Sequence, residues 1–241
     1  MKKIDEVLYL FPSTKREGWK QHPNGQGWVY ETAYVESTVF VDGNAQVFGN
    51  ARVFGDARVS GDARVFGNAR VNGDALVSGN ARVSGNARVF GNARVFGDAQ
   101  VFGDAWVFGN ARVFGNARVF GDAWVYGYAR VHGNARVFGD AQVSGSTRVS
   151  GDAWEASPLH IQGTRHSLSL CSRTKIAIGC HIHTISEWKK SYRKIGEAEG
   201  YSKAQIKEYG KYIALLAETA VQCHRSAGAN PRTNLQKGKK Q

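Results

Sequence analysis

The chain has 241 residues, with 29 glycines against 4 prolines and a formal net charge of +12. That composition excludes collagen-like and proline-rich disordered classes, and no apolar run reaches the length of about eighteen residues that a membrane span needs. Three cysteines, an odd number confined to the last third, argue against a disulfide framework and for a reducing cytoplasm. Asp5 and Glu6 interrupt the short apolar stretch at the N-terminus, so it is not read as a secretion signal and a cytoplasmic location is expected.

The charge is unevenly spread: +2 over residues 1–28, +1 over 29–154 and +9 over 155–241. Attraction for polyanions is therefore expected first at the C-terminal end, including the tail lysines Lys237, Lys239 and Lys240.

Residues 1–28 read as a cap segment, with one strand from Glu6 to Phe11 followed by a loop containing Gly, Pro and Asn. From Val29 to Val149 a valine recurs every six residues in the unit V-x-G-[N/D]-A-x, as in Val53-Phe54-Gly55-Asp56-Ala57-Arg58. A six-residue period scatters the valines around a helix of 3.6 residues per turn but suits a short strand and a turn. Alternation puts Ala and Val on one face of each strand, and Gly followed by Asn or Asp supplies the corner. Three units close a coil of 18 residues, so residues 29–154 make seven coils of a parallel β-helix without insertion. Its height is about 34 Å at ~4.8 Å per rung.

After Trp154 the period breaks. Residues 155–225 read as a small α+β domain. His166 to Cys171 and Lys175 to Ile182 form a hairpin in which Ile176, Ile178, Cys180 and Ile182 point inward. Thr184 and Glu187 form a capping box opening a helix with Trp188, Tyr192 and Ile195 on one face. Gly200 stops that helix, and Ser202 and Gln205 open another with Ile206, Tyr209, Ile213, Leu216 and Ala220 as its stripe. Residues 226–241 are polar and basic, and read as a disordered tail.

The unit resembles the hexapeptide repeat of left-handed β-helix proteins, and the resemblance implies that handedness. Strings of GNARV-x-GDA follow Gly25-Gln26-Gly27-Trp28-Val29-Tyr30-Glu31-Thr32-Ala33 and precede Ile178-Gly179-Cys180 and Ile185-Ser186-Glu187-Trp188. In these features the chain is similar to a family of phage and prophage proteins with no established activity. The resemblance implies a phage-encoded protein acting in the bacterial cytoplasm, and implies no reaction.

Candidate sites follow from the columns that stacking creates. Residues after each valine give a first column, Tyr30, Phe48, Phe66, Ser84, Phe102, Phe120 and Phe138, whose six aromatics are expected to form a dimer or trimer interface. The second column carries Phe108 and Tyr126, which with Trp106 and Trp124 make an aromatic patch. On the third face Arg94, Arg112, Arg130 and Arg148 fall one coil apart beside His132. Either turn aspartates and aromatic stacking compensate these stacked cations, or the row is an anion-binding strip. Cys180, His181 and His183, with Cys171, His166, Cys223 and His224, include zinc-ligand types, but strand alternation separates them and no metal site is expected.

His132 is the only histidine of the coils and no loop is extruded from them, which disfavours catalysis there. The reading is thus a non-enzymatic, oligomeric β-helix scaffold without cofactor that engages a protein, nucleic-acid or other anionic partner. The rivals are a hexapeptide-type acyl or nucleotidyl transferase and a structural polymer.

Overall fold

The computed structural model describes residues 4–151, 153–154 and 157–226. The chain divides into two compact units, 1–158 and 159–241.

The first unit is a parallel β-solenoid. Two-residue strands such as Arg52–Val53 and Arg58–Val59 recur every six residues and build three sheets. We number the faces by their valines: face 1 runs through Val29 and Val47, face 2 through Val35 and Val53, face 3 through Val41 and Val59. Each strand pairs in parallel with the one 18 residues away, valine on valine. The amides on both sides of a valine donate to the next rung, as Arg112 N does to Ala129 O (2.9 Å) and Phe114 N to Val131 O (2.9 Å). Valines from Val39 to Val149 and alanines from Ala45 to Ala141 have no exposed surface. Burying each valine side chain stabilises the stack by about 1.5–3 kcal/mol before conformational entropy is counted.

The corners set the period. Corner glycines from Gly49 to Gly145 hold φ between +60° and +73°. A Cβ on Gly85 would lie 2.8 Å from the backbone N of Gly103 on the next rung. Glycine is therefore required there twice, for the left-handed conformation and for the close approach. Corner asparagines add a directional ladder: Asn68 Nδ2 donates to Asn86 Oδ1 (3.2 Å), and Asn86 Nδ2 to Asp104 Oδ1 (2.9 Å). Asp104, an acceptor only, ends that run.

The N-terminal segment covers the first coil, but not as the expected strand. Ile4–Leu10 is a helix, α1. Ile4, Val7, Leu8 and Phe11 have helical rather than alternating spacing, and Val7 is buried with Trp19 and Trp28. A 3-10 turn, Arg16–Gly18, leads into a strand, Trp19–Gln21, that pairs antiparallel with Trp28–Tyr30 and closes the open edge of face 1. The loop beyond it does the same for face 3: Gly27 N donates to Val41 O (2.8 Å) and Val41 N to Asn24 O (3.0 Å). Blocking these edges removes a template for unwanted strand pairing.

At the other end the register slips. Arg136 faces Ala153 and Val137 faces Trp154, one residue short of the 18-residue period. A one-residue slip exchanges the two faces of a strand. Trp154 thus occupies a valine position, 5% exposed, where the unslipped register would place Glu155.

The second unit is a four-stranded antiparallel sheet with two helices. The strands are His160–Gln162, Ser167–Ser172, Lys175–Ile178 and His181–Thr184, in that order across the sheet. The expected single strand from Lys175 to Ile182 is corrected: Gly179, at φ +55°, turns the chain, and His181–Thr184 folds back on Lys175–Ile178. Cys180 consequently sits exposed at the turn instead of pointing inward, and Ile182 is 40% exposed. Helix α2, Ile185–Ala198, opens with the Thr184–Glu187 capping box, and Trp188 Nε1 donates to Ile176 O (2.8 Å). Helix α3, Lys203–Ser226, is capped reciprocally by Ser202 and Gln205 and buries Tyr209, Ile213, Leu216 and Ala220. Among the described residues no helix is long and apolar enough to cross a membrane.

The corner geometry makes a direct prediction. Gly85→Ala should destabilise the solenoid by about 2 kcal/mol or more, from the left-handed conformation (about 1–2 kcal/mol) plus the steric clash. Urea denaturation followed by circular dichroism checks this; an unchanged midpoint would contradict it.

Candidate functional site

Because side chains alternate along a strand, each buried valine is flanked by two outward residues, and stacking turns these into two columns per face. On face 3 the column before the valine runs Phe40, Arg58, Leu76, Arg94, Arg112, Arg130, Arg148, each in register with the next. Arg94, Arg112 and Arg130 are exposed and Arg148 is half-buried. The column after the valine stacks Phe96 on Phe114 (4.9 Å, 0°) and His132 on Phe114 (5.1 Å, 15°). Burial, then Arg148, then Arg130 push the His132 imidazole below its ordinary pKa.

Among the described residues, none of these four arginines forms an ion pair. Compensation of these four by turn aspartates is thus not made among the described residues, in keeping with the corner that precedes each of them. The corner residues two positions before them are Asn92, Asn110, Tyr128 and Ser146, none of them acidic. Five aspartates precede uncharged side chains (Asp74 before Leu76, Asp98 before Gln100, Asp104 before Trp106, Asp122 before Trp124 and Asp140 before Gln142), whereas Asp56 and Asp62 precede Arg58 and Arg64.

Face 2 carries the aromatic patch. Trp106 and Trp124 stack (5.1 Å, 8°), Phe108 and Tyr126 stack (5.0 Å, 4°), and Phe108 meets Trp124 edge to face (6.1 Å, 75°). The Arg88 guanidinium lies 4.6 Å from the Trp106 ring centre. Trp124 is 38% and the corner Tyr128 68% exposed.

Face 1 holds the column expected at an oligomer interface, and its rings have partners within the chain. Phe48 stacks on Phe66 (4.9 Å), Phe102 on Phe120 (4.9 Å) and Phe120 on Phe138 (5.2 Å). The N-terminal segment covers the upper end, with Phe11 4.5 Å from Phe48 and Trp19 5.1 Å from Tyr30.

In the second unit His181 Nε2 lies 3.0 Å from Glu199 Oε1, and the His183 ring meets Trp188 edge to face at 5.0 Å. Among the described residues no three His, Cys, Asp or Glu side chains converge as a metal would need. A cavity of about 40 Å³ lies between the sheet and the helices, lined by His166, Cys180, His181, Glu199, Tyr201 and Tyr209 among others, with room for a water or two. The Tyr209 hydroxyl donates to His166 O (2.7 Å) and accepts from Arg165 N (3.1 Å), tying the preceding loop to α3. Burial and the neighbouring Tyr209 push the Tyr201 phenol up to about 12. Lys237, Lys239 and Lys240 lie outside the described residues, as do the side chains of Cys223 and His224.

No curated protein matches the chain. Among solved structures, a candidate acetyltransferase from Bacillus cereus is similar at 10% identity and a TM-score of 0.30, covering 83% of this chain and 96% of its own. A UDP-N-acetylglucosamine acyltransferase gives 11% and 0.26, covering 58% and 72%. A candidate acetyltransferase from Desulfovibrio desulfuricans G20 gives 13% and 0.20, covering 68% and 40%. The YdcK beta solenoid repeat model matches residues 45–61, 57–71, 63–79, 75–89, 81–97, 87–103, 111–127 and 129–145. The coils are thus similar in sequence to a known β-solenoid repeat, in agreement with the parallel solenoid described above.

Proposed function

We propose that the protein is a non-enzymatic, oligomeric β-solenoid scaffold that binds a polyanionic partner along the arginine column of face 3, in a phage-encoded setting in the bacterial cytoplasm. The observation that carries this reading is Arg94, Arg112, Arg130 and Arg148 standing in register with, among the described residues, no carboxylate paired to them. Cations a rung apart repel by about 1 kcal/mol per pair at 4 Å even in bulk water, and by more near a protein surface. A polyanion relieves that repulsion and gains charge-assisted hydrogen bonds from the guanidinium forks.

Self-association fits face 2 better than face 1, because of the order of its outer column: Tyr34, Arg52, Arg70, Arg88, Trp106, Trp124, Gln142. Two copies laid side by side in parallel would set arginine on arginine. A two-fold axis crossing between the Arg88 and Trp106 rungs instead lays Arg88 on Trp106 and Arg70 on Trp124 of the second copy. The chain already makes such a cation–π pair internally at 4.6 Å. Trp106→Ser with Trp124→Ser should convert the dimer to monomer in light scattering; a monomeric parent protein would contradict this part of the reading.

His132 is a local reporter for the strip. In the free protein its imidazole should titrate below 6.5, and a single-stranded oligonucleotide bound along the arginines should raise that pKa by offsetting Arg130 and Arg148. Binding confined to the basic tail would leave it unmoved. A folded-state pKa below the unfolded one means the unfolded chain takes up the proton first. His132 should therefore cost stability as pH falls below about 6.5, and nothing above. Arg112→Gln with Arg130→Gln should leave the free protein at least as stable and lower the salt dependence of oligonucleotide binding. Four contacts to a single strand give a log–log slope of about −2.8, and two give about half of that. Lower stability with unchanged binding would refute the strip.

A further inference from the structure

The aromatic ladder of face 1 has one ring missing. Phe48 and Phe66 stack at 4.9 Å with an interplanar angle of 0°, and Phe102 and Phe120 at 4.9 Å with 1°. Between Phe66 and Phe102 the column position is Ser84. The rungs run through without a bulge: Phe66 N donates to Val83 O (2.9 Å) and Ser84 N to Val101 O (2.9 Å). Two rung spacings therefore separate the Phe66 and Phe102 rings, about 9.8 Å between centres. Parallel rings in van der Waals contact sit about 3.5 Å apart, so the planes leave about 7 Å, the room of one inserted ring with both faces covered.

The same coil interrupts the face 2 column as well, at Asn72 between Phe54 and Phe90. Asn72 has a planar amide with which to fill its gap, whereas Ser84 has only a hydroxymethyl group. The Ser84 gap is flanked on its strand by Arg82, two residues earlier and about 7 Å along the chain. Arg64 stands on the rung above Arg82, and Gln100 on the rung below. Burial, then Arg82, push the Arg64 guanidinium below its ordinary pKa while Asp62 opposes the shift. That guanidinium lies 5.4 Å from the Phe11 ring centre, and Asn80, two residues before Arg82, donates to Asp98 (2.9 Å).

We infer that the gap over Ser84 is a binding slot for a nucleobase bearing a phosphate, the base stacked between Phe66 and Phe102 and the phosphate on Arg82 and Arg64. A flat ring satisfies the two aromatic faces whatever its identity, and an anion about 7 Å away satisfies the guanidinium pair. A free nucleotide and a nucleotide within a single strand present this same chemistry. The slot lies on a different face from the arginine strip, so either can fail without the other.

The full-length protein titrated with UMP, uridine, phenyl phosphate and an oligo(dT) octamer, followed by hypochromism of the base and by NMR, tests the slot. UMP should bind with stacking hypochromism and uridine several-fold more weakly. Arg82→Gln should bring UMP down to the level of uridine. Ser84→Phe completes the ladder: it should raise the melting temperature while weakening UMP binding at least tenfold, and Ser84→Ala should bind as the parent does. Arg112→Gln with Arg130→Gln should leave UMP binding intact. Tighter binding of the octamer per site assigns the slot to a strand, and tighter binding of UMP to a free nucleotide; both support it. No UMP binding by the parent, binding that survives Ser84→Phe, or phenyl phosphate binding as tightly as UMP would overturn it.

Discussion

The solenoid depends on one contact above all, the approach of the corner glycines from Gly49 to Gly127 to the glycine 18 residues further on. It fixes the rise from coil to coil, and with it the register of every column. Gly85 shows how little freedom remains, since a single added carbon would meet the Gly103 nitrogen at 2.8 Å. Identical side chains are thereby forced into contact down the molecule, and what that costs depends on their chemistry. Phenylalanines stack, as Phe96 does on Phe114. Asparagines chain amide to carbonyl, as Asn68 does to Asn86. Arginines gain nothing from one another and repel.

That contrast separates surface chemistry that holds the stack together from chemistry that does not. The Phe and Asn columns stabilise the rungs they sit on. Like charges stacked in register, as in the Arg column of face 3, are unfavourable in a sheet, and the corner positions two residues before Arg94, Arg112, Arg130 and Arg148 hold no aspartate. The corner positions two residues before these four arginines are neutral, unlike Asp56 before Arg58 and Asp62 before Arg64. The coils are nearly neutral in total, which conceals a local excess of positive charge on one face.

Much of this was legible in the sequence because a strict period transmits register directly. The valine spacing gave the three faces, the coil number and the in-register arginines, and the Thr184–Glu187 and Ser202–Gln205 boxes gave both helix starts. Misreadings occurred where the period stops. Ile4, Val7 and Leu8 pack on a helical period that a short apolar run hides, so α1 read as a strand. Gly179 was read through as part of a strand, which turned Cys180 inward when it is exposed. The slip at Trp154 could not be read from the repeat, because it is driven by placing an indole instead of Glu155 over the end of the core. Ion pairing likewise depends on which corner borders which column, a relation across three positions that no single column displays.

The central claim, that the face 3 arginines stand unneutralised, is tested most directly by the salt dependence of stability without any ligand. Thermal melts of the parent and of the Arg112→Gln, Arg130→Gln variant, from low salt to about 0.5 M, isolate their contribution, since the other charges are common to both. Screening weakens repulsion between exposed like charges. The parent should therefore gain more melting temperature from added salt than the variant does. If added salt lowers the parent's melting temperature relative to the variant, the arginines are held by attraction to carboxylates, and the account of this face is wrong.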